Sequence, residues 1–122
     1  MAEKRTYLRV KDGATVIYKT MGVMGEYPLH VLDISAGGVR LPLKEKIKAG
    51  TLIELQISLP EDKEPFFGLA KIAWQHDAAV KDKTNTLFYE TGVQFIRVGV
   101  NNRKRILRYV LSQSNPYSTT TP

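Results

Sequence analysis

Leu52-Ile53-Glu54-Leu55-Gln56-Ile57-Ser58-Leu59 decides the fold class. Ile53, Leu55, Ile57 and Leu59 fall on one side of an extended chain, and Glu54, Gln56 and Ser58 on the other, the period-two pattern of a half-buried strand. Pro60 stops it. Working outward, similar short segments occupy Thr15–Lys19, Leu29–Ile34, Gly38–Leu41, Phe66–Trp74 and Leu87–Ile96. Turn residues separate them: Gly22 and Gly25 before Pro28, then Lys44 to Gly50, then Pro60 to Pro65. Strands broken at intervals of about 8–12 residues indicate an all-β sandwich or barrel. The polar stretch from His76 to Thr86 reads as a long exposed hairpin loop.

After the last strand the period changes. Asn101 or Asn102 can cap a helix whose Ile106, Leu107, Val110 and Leu111 share one face, with Arg103, Lys104, Arg105 and Arg108 mostly elsewhere. A helix of about 11 residues is marginal alone in water, so its apolar stripe must dock on the β-domain. The Ser/Thr/Pro-rich end is expected to be disordered. The expected organisation is residues 1–13 as a flexible N-terminal segment, 14–112 as the β-domain with its helix, and 113–122 as a disordered tail. No repeat and no second domain is expected.

At 122 residues, 43% apolar and 25% charged, the chain has the composition of one globular domain. With no cysteine, disulfide scaffolds, thiolate zinc sites and cysteine nucleophiles are excluded together. No segment approaches the roughly 20 apolar residues needed to span a bilayer, and none of signal-peptide character follows Met1, so cytoplasmic residence without membrane insertion is expected. The net charge of +6 favours an anionic partner without choosing among nucleotide, nucleic acid, lipid and acidic protein.

Two motifs narrow that choice. Arg5-Thr6-Tyr7-Leu8-Arg9 is an R-x-x-x-R just before the first strand, and Asp33-Ile34-Ser35-Ala36-Gly37-Gly38 is a D-x-S-x-x-G between two strands. Alone, the first reads as a solvated basic tail and the second as a turn in which Asp and Ser bond local backbone. Together, in this order and in a β context, they resemble the signature of the PilZ domain family of cyclic di-GMP receptors. Gly38-Val39-Arg40-Leu41, Lys71-Ile72-Ala73-Trp74 and Tyr89-Glu90-Thr91-Gly92-Val93-Gln94-Phe95 are similar to later strands of that family, and the likeness runs from about Lys4 to Leu111.

The resemblance implies a six-stranded antiparallel β-barrel with the C-terminal helix packed against it. It also implies a cyclic di-GMP receptor that signals to an effector protein controlling motility, exopolysaccharide or virulence. The ligand residues it implies are Arg5, Arg9, Asp33, Ser35, Gly37 and Gly38; from their positions, Lys4 beside Arg5 and Arg40 on the strand after the motif are secondary candidates. The chemistry agrees. An arginine fork matches phosphate oxygens and the O6 and N7 acceptors of guanine, which a lysine cannot do bidentately. Asp33 and Ser35, two apart on a strand, share a face opposite Leu32 and Ile34; with the apolar pair inside, the carboxylate and hydroxyl face outward as acceptors for a guanine edge. Gly37 and Gly38 would let a planar ligand approach the backbone.

Trp74 is expected in the core or at the rim. His30 and His76 have no partner carboxylate at a recognisable spacing, and neither a paired acid/base signature nor a nucleophile elbow is present. No enzyme activity, metal or cofactor is therefore expected. Two alternatives differ in class: an adaptor of the same fold that does not bind ligand, and a basic barrel binding single-stranded nucleic acid. The second needs outward aromatics interleaved with cations on adjacent strands. The aromatics here are scattered, so no nucleic-acid polymer is expected as a partner.

Overall fold

The computed structural model describes residues 13–20, 23–24, 28–60 and 62–114. Chain order is β1 (Thr15–Thr20), β2 (Val23–Met24), β3 (Leu29–His30), β4 (Asp33–Ser35), β5 (Gly38–Leu43), β6 (Leu52–Ser58), β7 (Phe66–Gln75), β8 (Val80–Lys81), β9 (Leu87–Arg97) and α1 (Val100–Ser114). Among the described residues, three of the nine strands comprise two residues each, and β3 and β4 are the halves of one extended segment, so the six expected strands are all present.

Every pairing is antiparallel, and the main path runs β1-β6-β7-β9-β5-β4. The β3–β4 segment joins its ends. Its first half pairs with β1 through Thr15↔His30, and its second half with β5 through Asp33↔Arg40. Between them, the Val31 amide donates to the Ala14 carbonyl at 3.1 Å and the Leu32 amide to the Arg40 carbonyl at 2.8 Å. The sheet thereby curls into the expected barrel, and closure leaves its long strands paired on both sides.

The opening pattern explains the core. Ile53, Leu55 and Ile57 of β6 are buried, as are Val16, Ile34, Leu41 and Ile72 from the strands around the barrel. One position breaks the alternation. Trp74 is in phase with buried Ala70 and Ile72, yet it is 39% exposed. A bulge is the cause: Ile72 faces Val93 and Trp74 faces Gly92, so Ala73 is an extra residue in β7 and Trp74 is turned outward. Trp74 thus belongs to the rim.

The helix departs from expectation in its start, its buried face and its end. It begins after Gly99, whose φ of 87° suits a residue without Cβ, and neither asparagine caps it from outside. Asn102 instead donates from its side chain to the Val98 carbonyl at 2.8 Å. The buried face is Ile106, Tyr109 and Val110, whereas Leu107 and Leu111 are 43% and 46% exposed. Tyr109 rotates the face because its ring fills the space beside Gly13, where a Cβ would strike its hydroxyl. Arg103 and Arg105 are tethers. Arg103 donates to the Ala36 carbonyl at 2.7 Å, and Arg105 pairs with Asp62 at 2.9 Å while lying over the Phe66 ring. The helix also runs to Ser114, beyond the boundary expected at 112.

The His76–Thr86 stretch is more ordered than a long loop. Val80 and Lys81 pair with Phe88 and Leu87, and the Asp82 carboxylate closes the turn, with Asn85 at φ 69°.

Candidate functional site

The D-x-S-x-x-G residues form the β4–β5 turn. Ser35 and Gly38 face each other across it, and the Ser35 hydroxyl holds it, accepting the Gly37 amide at 3.2 Å and donating to the Gly38 carbonyl at 3.4 Å. From the far side, β9 and α1 clamp the turn: the Phe95 amide donates to the Gly37 carbonyl at 3.0 Å, and Arg103 binds Ala36. Four pieces of chain therefore fix one tight loop.

Asp33 and Ser35 lie on the side opposite Ile34, as the alternation requires, but they are not open to water. Asp33 is 3% exposed, and Ser35 is fully buried. The Asp33 carboxylate accepts the Arg40 Nε–H at 2.7 Å, and the Arg40 guanidinium also pairs with Glu90. A carboxylate this deep needs such a partner, because an unpaired buried charge is costly. Arg40, a secondary ligand candidate in the sequence, is the cation shared by two carboxylates.

Strand register extends this into a row. Asp33 faces Arg40, Arg40 faces Gly92, and Gly92 faces Trp74, across β4, β5, β9 and β7. A Cβ at Gly92 would strike the indole, so Trp74 covers that glycine closely. His76 continues the surface, its ring 5.1 Å from that of Trp74 and its Nδ1 3.7 Å from Glu90. His76 thus does have a carboxylate neighbour, one that sequence spacing cannot display.

Gly38 has a packing role that the ligand-approach expectation did not anticipate. A Cβ on Gly38 would collide with the Val93 carbonyl of β9, so this position serves the close approach of two strands. Of the residues expected to bind ligand, Asp33, Ser35, Gly37, Gly38 and Arg40 come together in one turn and its adjoining strands. Lys4, Arg5 and Arg9 lie outside the described residues. Sequence reading overlooked Glu90 and Gly92. Their signal was present in Tyr89–Phe95, where Glu90, Gly92 and Gln94 alternate with Thr91, Val93 and Phe95 and so point outward.

The clamped turn places a buried hydroxyl and a buried carboxylate held by an arginine on one barrel wall. Comparison with known proteins bears on this geometry. The family model for the PilZ domain matches residues 3–112. Among solved structures, the chain is similar to the PilZ domain with cyclic di-GMP of YcgR from Escherichia coli, at 16% identity and a TM-score of 0.66 over 92% of each chain. It is similar to the inhibitor of motility MotI/DgrA of Bacillus subtilis, at 17% identity and a TM-score of 0.72 over 93% of this chain and 52% of that one. It also resembles the MrkH–cyclic di-GMP complex of K. pneumonia, at 15% identity and a TM-score of 0.66, covering 92% of this chain and 53% of that one. The chain thus spans about half the length of MotI and MrkH. At these identities the likeness is one of fold. No curated sequence matches significantly.

Proposed function

This chain belongs to the PilZ domain family, and from that premise we propose that it is a cyclic di-GMP receptor, a binding protein and not an enzyme, that passes the signal to a partner protein. Binding would order the Arg5–Arg9 segment over the β4–β5 turn, the ligand supplying the differential free energy between two states. Arg5 and Arg9 would grip phosphate and guanine, with Lys4 adding positive charge. Asp33 would accept from a guanine edge, while Ser35, Gly37 and Gly38 keep the turn in shape. Arg40 would position Asp33 more than touch the ligand.

One observation carries this reading: the start of β1 abuts the strand that leads into the D-x-S-x-x-G turn. The Val31 amide binds the Ala14 carbonyl, and Val31 precedes Asp33 by two residues. Arg9 lies four residues before Gly13, and four extended residues reach about 14 Å. The arginine motif is therefore tethered within reach of Asp33, as a ligand clamp requires.

Isothermal titration calorimetry tests the proposal, with cyclic di-GMP compared against cyclic di-AMP and GTP. Saturable binding of cyclic di-GMP, and at least tenfold weaker binding of the other two, is expected. Removing a charge-assisted contact costs about 1.5–3 kcal/mol, so Arg9→Ala should lose roughly 10- to 100-fold in affinity. Arg9→Lys should also lose much of it, because the charge stays but the fork does not. A folded Arg9→Ala protein with unchanged affinity would refute the clamp.

A further inference from the structure

Helix α1 has a second apolar face, and the barrel does not cover it. Val100, Leu107 and Leu111 are all exposed, and with Lys104 they lie within roughly 60° of arc on a helix that advances 100° per residue. Single exposed leucines are ordinary, but these are not scattered. Val100 and Leu107 line a groove of about 540 Å³ between α1 and the end of β9, where exposed Ile96 completes the floor. The 4-3-4 spacing of Val100, Lys104, Leu107 and Leu111 is that of a seam which receives another helix.

The charges around this groove have one sign. Arg97 and Arg103 stand at its walls with Lys104, and α1 contains no acidic residue along its whole length. Arg103 is committed to Ala36, and Arg105 to Asp62. Arg97, Lys104 and Arg108 form no ion pair among the described residues. An apolar floor between unpaired cations fits an apolar stripe between carboxylates.

We propose that the groove between α1 and β9 is the docking site for an acidic amphipathic helix of a partner protein. A second copy of this chain fits poorly, since each copy would set its cations against those of the other. A lipid surface fits poorly too, because the apolar residues line a concavity and a bilayer must be met by a protruding face. The site also touches the β4–β5 turn. Ala36 lines the groove and accepts the Arg103 hydrogen bond at 2.7 Å, so one residue is shared by the turn and the docking surface. The proposal deepens the receptor reading by naming where its partner sits, but the surface itself does not depend on nucleotide.

Fluorescence anisotropy on the full chain tests it, using a labelled, stapled synthetic helix with leucines along one face and glutamates beside them. The control helix carries lysines in place of the glutamates. Saturable binding at least tenfold tighter for the glutamate probe is expected, with amide NMR shifts confined to the Ile96–Leu111 region. Leu107→Glu and Lys104→Glu alter exposed positions, should leave the circular dichroism melt unchanged, and should each weaken binding tenfold or more. Equal affinity for the two probes, no binding, or shifts on another face would overturn the proposal. So would self-association through this face in sedimentation equilibrium that Leu107→Glu abolishes, or binding to anionic vesicles through it without binding to the peptide. Because the titration is run without nucleotide, peptide binding by a protein that ignores cyclic di-GMP would sink only the receptor reading. Nucleotide binding without peptide binding would sink only the groove.

Discussion

Two turns of this barrel are built from the same local chemistry and end in opposite states. Asp33-x-Ser35 opens the β4–β5 turn, and Asp82-x-Thr84 opens the turn between β8 and β9. In the second, the carboxylate serves its own loop: Oδ1 of Asp82 accepts the Thr84 hydroxyl at 2.7 Å and the amides of Thr84 and Thr86 at 2.8 and 2.9 Å. These bonds, the Thr84 hydroxyl first, hold its pKa below the usual aspartate value although the group is fully exposed. In the first turn, the serine hydroxyl makes the loop bonds while the Asp33 carboxylate holds an arginine on the neighbouring strand. The difference is burial. A turn in water needs nothing beyond its own residues, whereas a carboxylate under the barrel wall needs a counter-charge, and that counter-charge holds it in place.

The comparison breaks if the two aspartates prove equivalent. Asp33→Ala should lower cyclic di-GMP affinity roughly 10- to 100-fold, in proportion to one charge-assisted contact of about 1.5–3 kcal/mol. It should also narrow the gap between cyclic di-GMP and cyclic di-AMP. In urea unfolding the same variant should lose about 2 kcal/mol, at the modest end for a buried pair because Arg40 also holds Glu90. Asp82→Ala should leave affinity unchanged and lower the midpoint only slightly, while speeding hydrogen exchange at the Thr84 and Thr86 amides.

Next in size is Gly38→Ala. The added methyl meets a backbone carbonyl that cannot swing away, so urea unfolding should show a loss of about 1–3 kcal/mol. No loss would mean that β5 and β9 do not approach so closely. Smaller still, a double-mutant cycle of Asp33→Ala and Arg40→Ala should return a coupling of about 1 kcal/mol, isolating the pair from the rest of the turn.

The smallest effect lies away from both turns. Burial, reinforced by Glu45, raises the Tyr18 phenol from 10.0 to about 12. The folded state thus favours the neutral form. Its contribution to stability is complete below pH 10 and is lost as pH rises toward 12, the unfolded chain ionising first. Tyr18→Phe should flatten the stability curve over that interval, measured by urea unfolding at stepped pH.

These expectations also mark what the chain displays in one dimension. The strands were legible because Ile53, Leu55 and Ile57 alternate with polar neighbours, and the β4–β5 turn because Asp, Ser and Gly at fixed offsets have a local mechanism. Trp74 was legible only as core or rim; one extra residue at Ala73 puts it at the rim, and nothing in Lys71-Ile72-Ala73-Trp74 signals that bulge. The helix was legible as a helix but not in its rotation, which Tyr109 sets by filling the space beside Gly13. The Asp33–Arg40–Glu90 cluster joins residues 7 and 50 positions apart. Only strand register brings those together.

A crystal structure of the chain with cyclic di-GMP tests the central claim most directly. The account predicts the nucleotide on the outer wall at the β4–β5 turn, with Arg5 and Arg9 closed over it and the Asp33 carboxylate in hydrogen-bonding distance of a guanine edge. Nucleotide seated on another face, or the two arginines on the opposite side of the barrel from Asp33, would contradict it.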